Sequence, residues 1–149
     1  MEKKVRVVVE KFFPYRENLA LWSVLYVQIG AECFPGDSWT DATSSVLSMW
    51  LYALNRFLLN NTNLVTLPFM DGNYEVQLGK CPYGVTLLRC VNGDAVILET
   101  PIDVHYFVRQ LLAAVGKIEK QYEAYVATSQ VFELSTLAQK LRDTFSEMG

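Results

Sequence analysis

The sequence predicts an α+β domain whose strands pair antiparallel. Two observations carry this: strands come in blocks rather than alternating with helices, and the strand block after residue 60 is joined by tight-turn residues. The expected order is two strands, a helix, a four-strand meander and two C-terminal helices, giving one antiparallel sheet of about six strands with helices packed on it. At 149 residues the chain fits one domain, 1–149, with no internal repeat or linker, and a chain of this size buries roughly 70% of its unfolded surface.

Residues 5–9 (VRVVV) and 20–29 (ALWSVLYVQI) are rich in β-branched and aromatic residues and read as strands, joined through the turn-like Pro14-Tyr15-Arg16-Glu17-Asn18. In Phe34-Pro35-Gly36-Asp37-Ser38-Trp39-Thr40-Asp41 the proline and glycine break the strand, and Ser38 with Asp41 has capping-box spacing, so a helix is expected to begin there with Trp39 in its first turn. Its apolar positions Ala42, Val46, Trp50, Ala53 and Phe57 keep helical spacing. No charge follows Asp41 until Arg56, which predicts a helix buried against a sheet.

Asn60 to Asn63 end that helix. Residues 64–70 and 74–78 flank Asp71-Gly72 as a hairpin, and residues 85–91 and 95–99 flank Asn92-Gly93-Asp94 as a second one. Thr100-Pro101-Ile102-Asp103 reads as a helix start, with Thr100 as N-cap, proline at the first helical position and aspartate beside the positive end of the dipole. The helix continues through Phe107, Leu111, Val115, Ile118 and Tyr122. A final helix over about 133–147 carries Leu134, Leu137, Leu141 and Phe145, with Met148 just beyond it.

Hydrophobic residues are 51% of the chain and charged residues 19%, which excludes a disordered segment. A net charge of −3 argues against nucleic acid as partner, because phosphate neutralisation needs clustered lysine and arginine. The apolar stretches 19–29 and 46–59 are interrupted by polar residues and fall short of the roughly 20 residues of a membrane span. Lys3 and Lys4 precede no continuous apolar run, so no signal peptide is expected and the cytoplasm is the expected compartment. Cys33, Cys81 and Cys90 are odd in number and lack close spacing, which reads as reduced core thiols.

No phosphate-binding loop, dinucleotide fingerprint, nucleophile elbow or zinc-protease motif is present, so no cofactor, metal site or catalytic residue is assigned. His105 is the one histidine, and its ordinary reading is a solvent-facing or capping residue. An enzyme or small-ligand site would need a concave pocket that gathers His105 or several carboxylates. Asp37, Asp41, Asp71 and Asp94 all fall at turns or element ends, where each has an ordinary explanation as a cap or turn residue and a functional one as part of a binding surface. Trp39, Trp50, Tyr52 and Tyr83 are aromatic candidates for anchors, with Trp50 expected in the core.

Charge is unevenly distributed. Residues 1–16 hold five bases and two acids, and residues 109–149 balance at five and five; residues 17–108 hold nine acids against Arg56, Lys80 and Arg89, a charge of −6. Carboxylates at loop ends around a sheet would steer a basic partner and disfavour others.

The Phe34-to-Asp41 stretch before a tryptophan-containing helix, together with Phe69-Met70-Asp71-Gly72-Asn73-Tyr74 at the hairpin, resembles a group of small bacterial α+β proteins. The chain is similar in style to the immunity proteins of polymorphic-toxin and contact-dependent inhibition systems. That resemblance implies a cytosolic, non-catalytic domain that neutralises a toxin by covering its surface. The expected partner is a basic protein, a toxin domain in the most concrete form, met by Asp37, Trp39, Asp41, Asp71 and Asp94. The alternative is a structural or regulatory domain that self-associates through surplus apolar and aromatic surface.

Overall fold

The computed structural model describes residues 2–14, 20–123 and 129–148. Its elements, in order, are β1 (Val5–Glu10), β2 (Ser23–Ile29), β3 (Glu32–Phe34), β4 (Thr40–Asp41), α1 (Thr43–Leu58), β5 (Leu64–Pro68), β6 (Tyr74–Lys80), β7 (Thr86–Asn92), β8 (Ala95–Ile102), α2 (Val104–Gln121) and α3 (Ser129–Glu147). The α+β class with antiparallel pairing holds. The expected turn at residues 15–18 lies outside the described residues.

The single six-stranded sheet is corrected to two four-stranded sheets, one in the order β1-β2-β3 with β4 also pairing β2, the other in the order β5-β6-β7-β8. The extra strands are short. β3 and β4 flank the Pro-Gly loop and pair with opposite ends of β2, at Val27 to Ile29 and at Ser23 and Val24. Two- and three-residue strands carry too little period-2 pattern to be seen in a sequence.

Strand periodicity fixes which face is buried. Val5, Val7 and Val9 of β1 pair with Ile29, Val27 and Leu25 of β2, and all six are buried. In the other sheet Leu67, Val76 and Cys90 stand opposite one another across β5, β6 and β7, as do Val65, Leu78 and Leu88. The sheets meet at Lys3, whose N–H donates to Pro101 O at 2.9 Å and whose carbonyl accepts from Asp103 N at 3.0 Å. This pairing, with that of Thr100, Pro101 and Ile102 to Leu88, Leu87 and Thr86 of β7, explains a second correction. Thr100 and Pro101 are strand residues of β8, and Asp103 is the N-cap of α2, its carboxylate accepting from Tyr106 N at 3.0 Å.

Helix α1 packs against β5 with α3 along its flank, while α2 packs on β1. Trp50 of α1 is 0% exposed, as expected of a core residue; its indole donates to Pro68 O at 2.7 Å and its ring meets Phe69 edge-on at 5.3 Å. Helix α3 is tied to α1 by Thr144, which donates to Asn55 Oδ1 at 2.5 Å. It is tied to α2 by Glu119, which accepts from Ser135 Oγ at 2.7 Å. It begins at Ser129, ahead of the expected start at 133. No helix among the described residues is long and apolar enough to cross a membrane.

Candidate functional site

The two sequence motifs meet in space around one buried carboxylate. Asp41 Oδ2 accepts from Trp39 Nε1 at 3.1 Å, Met70 N at 3.2 Å and Asp71 N at 3.3 Å, while Oδ1 accepts from Ala42 N at 2.7 Å. A buried carboxylate with no ion pair among the described residues needs such donors to replace its water, and here backbone and indole N–H groups supply them. The expectation that Asp41 lies on the partner-facing surface is corrected: it is 0% exposed and acts instead as the latch that fixes the Met70–Asp71 turn to the Pro-Gly loop. The expected capping box is absent for the same reason. Helix α1 begins at Thr43, with Ala42 as N-cap and no side-chain cap, because the Asp41 side chain is engaged with the turn.

Aromatic rings pack behind the latch. Trp39 lies before the helix rather than in its first turn, half-buried, with its ring edge-on to Tyr74 at 5.0 Å; Phe34 meets Tyr74 at 5.6 Å and Phe69 at 6.0 Å. Gly72 closes the turn with φ +71°, and a Cβ there would stand 3.1 Å from Tyr74 Cδ2 and 3.6 Å from Trp39 Cη2. The left-handed backbone and the close approach of two rings both call for glycine.

Three of the expected carboxylates are exposed on loops tied to this latch. Asp71 follows Met70 on the latched turn. Asp94 follows Gly93, whose N–H donates to Asn73 O at 3.0 Å, so the two hairpin turns are joined. Asp37 lies two residues before Trp39, and its charge, with burial first and then Glu10 and Cys33, raises the Tyr26 hydroxyl pKa. Of the other central acids, Asp103 caps α2, Glu99 is ion-paired with Arg89 on β7, Glu75 accepts from Gln77 Nε2 at 3.0 Å and Glu32 is exposed on β3. Glu17 lies outside the described residues.

Beside Met70 opens a groove of about 470 Å³ between α1 and α3, lined by Ser45, Ser48, Met49 and Tyr52, by Met70 itself and by Glu133. The α1 residues fall on one face because 45, 48, 49 and 52 follow helical spacing. Tyr52 is 59% exposed, Met70 56% and Met49 36%, so three large side chains at the groove are open to solvent. Sequence reading places Tyr52 among the candidate anchors but misses Met49, Met70 and Glu133. A Ser/Met/Tyr face on an apolar helix is legible by spacing, yet that α3 lies across it is a tertiary fact.

A second cavity, of about 290 Å³, borders Lys80 and Cys81. Its cation is occupied structurally. Lys80 Nζ donates to Phe57 O and Asn60 Oδ1, both at 2.6 Å, at the carbonyl end of α1, where a positive charge complements the helix dipole; burial lowers its pKa. His105 is exposed on α2, with its ring 5.6 Å from that of Phe145, and among the described residues no contact joins it to the carboxylates above. Nor do three His, Cys, Asp or Glu side chains converge as a metal site would require, among the described residues.

All three cysteines are free thiols, Cys90 buried and Cys33 and Cys81 half-buried. Burial pushes the Cys90 thiol up to about 12. A raised folded-state pKa means that the unfolded chain ionises first. The stability Cys90 contributes is therefore complete below the ordinary thiol pKa and lost as pH rises from about 9 towards about 12. Iodoacetamide at pH 8 is expected to modify Cys33 and Cys81 in the folded protein and Cys90 only after denaturation, as read by peptide mass spectrometry. Rapid native labelling of Cys90 would contradict its placement.

Comparison with protein families, curated proteins and solved structures found no match to this chain.

Proposed function

We propose that the protein is a non-catalytic binding module that takes a basic protein partner on the acidic rim formed by Asp37, Asp71 and Asp94, with Trp39 supplying apolar area behind it. In its most concrete form it is an immunity protein that occludes a toxin domain in the cytoplasm. The observation that carries this reading is the Asp41 latch. A buried carboxylate spent on holding the Met70–Asp71 turn keeps an exposed methionine and an exposed aspartate in a fixed place, and preorganisation of that kind lowers the ordering cost of binding. The resemblance to immunity proteins and the charge of −6 over residues 17–108 point to the same partner chemistry.

The test is co-purification with the product of the neighbouring gene, comparing wild type with an Asp37→Lys/Asp71→Lys/Asp94→Lys variant. All three positions are exposed, so the variant is expected to fold. Its association rate should fall by at least about tenfold, and the salt dependence of that rate should flatten, since rim charges act chiefly through steering. A variant that binds as wild type does, or a protein that recovers only copies of itself with a mass that grows with concentration, would reject the reading.

A further inference from the structure

We infer that the α1–α3 groove is the receptor for one lysine or arginine side chain carried on an apolar segment of that basic partner, with Glu133 as its counter-ion. This rests on the proposed function and adds the place where the partner's cation is held.

The groove's charge is of one sign. Glu133 is the charged residue in its lining, and among the described residues it makes no ion pair or hydrogen bond. Ser45 and Ser48 are half-buried, and among the described residues their hydroxyls have no hydrogen-bond partner, whereas Ser44 beside them is already used by Leu21 N at 2.9 Å. A carboxylate, two uncommitted hydroxyls and the exposed ring of Tyr52 are together the groups that hold an ammonium or guanidinium. The carboxylate supplies charge-assisted hydrogen bonds, the hydroxyls accept, and the ring face attracts the cation.

The rim selects what the cation is attached to. Met49 and Met70 line the opening beside Tyr52, and unbranched thioether side chains adapt to an incoming apolar neighbour. The groove, of about 470 Å³, has room for one long side chain laid along it. Because Met70 is adjacent to Asp71 on the latched turn, a segment whose cation enters the groove meets the acidic rim with its next residues.

The probe is N-acetyl-arginine methylamide, with N-acetyl-citrulline methylamide as its neutral isostere, titrated into the 15N-labelled full chain and followed by amide chemical shifts. The expected result is saturable shifts at Ser45, Ser48, Tyr52 and Glu133 for the arginine probe, with the citrulline probe at least about tenfold weaker at the same residues. Glu133→Gln, an exposed position, should keep the wild-type melting temperature and bind both probes equally weakly. Equal shifts from both probes, arginine shifts confined to the loops of Asp37 and Asp94, or no groove shifts up to the solubility limit would each overturn the inference. A complex that is lost on charge reversal of the rim but unchanged by Glu133→Gln would leave the rim reading standing and remove the groove from it. A complex lost with Glu133→Gln and untouched by rim reversal would do the opposite.

Discussion

Replacing Asp41 with alanine is expected to lower stability by about 3 kcal/mol, a drop in melting temperature on the order of 10 °C for a chain of this size. Four N–H groups, from Trp39, Ala42, Met70 and Asp71, converge on one carboxylate that is 0% exposed. Removing it leaves buried or half-buried donors with nothing to bond. Asparagine should recover only part of the loss, to a deficit of about 2 kcal/mol, because every partner is a donor. Whichever way the amide is turned, its NH₂ faces another N–H, and the remaining oxygen is a neutral acceptor. Hydrogen exchange supplies the local reading: the amides of Met70 and Asp71 should exchange faster in both variants, while those of the β1–β2 pair change only with global stability. Wild-type melting together with wild-type exchange at Met70 and Asp71 would mean that the latch does not hold the turn.

Trp50→Ala is expected to cost about 4 kcal/mol, as large as core truncations of an aromatic residue generally are. The side chain is 0% exposed, meets Phe69 at 5.3 Å and Phe107 at 6.5 Å, and donates to Pro68 O at 2.7 Å. Truncation therefore opens a cavity beneath β5 and removes the partner of a strand-end carbonyl. Trp50→Phe separates the two contributions. It keeps most of the ring volume and loses the donor, so a cost of about 1–2 kcal/mol is expected. Urea unfolding should show the midpoint falling with little change in slope. Equal midpoints for the alanine variant and wild type would show that Trp50 is not in the core.

Long periodic segments are legible in the chain. Helices α1 and α2 and the four strands from residue 64 onwards lie within a few residues of the expected positions, since their apolar residues recur at 3.6 or 2 over several turns or pairs. The errors fall where a local signal has two meanings. Ser38 and Asp41 have the spacing of a capping box, but Asp41 bonds Met70 and Asp71, which lie 29 and 30 residues away. Thr100-Pro101 has the chemistry of a helix start, yet strand β8 continues through it, paired with Leu88 and Leu87 of β7 on one side and with Lys3 on the other. In each case a contact distant in sequence outweighs a local preference worth about 1 kcal/mol.

The candidate site divides in the same way. Asp37, Trp39, Asp41, Asp71 and Asp94 are all marked out by their positions at turns and breaks, and the structure ties their loops together through the Asp41 latch and the Gly93–Asn73 hydrogen bond. Their roles are not legible. A carboxylate at a loop end looks the same in a sequence whether it faces solvent, as Asp71 does, or is buried, as Asp41 is.

By itself the sequence determined the class of fold, the faces of its long elements and the acidic character of the central region, because composition and periodicity are local and additive along the chain. Only the tertiary structure decided that the strands divide into two sheets joined at Lys3, that Asp41 is a latch rather than a contact residue, and that Met70 and Glu133 border one groove. The physical reason is common to all three. Strand pairing, hydrogen bonding to a buried charge and the closing of a groove are each satisfied by partners from distant parts of the chain, and no residue carries a record of which partner it will meet.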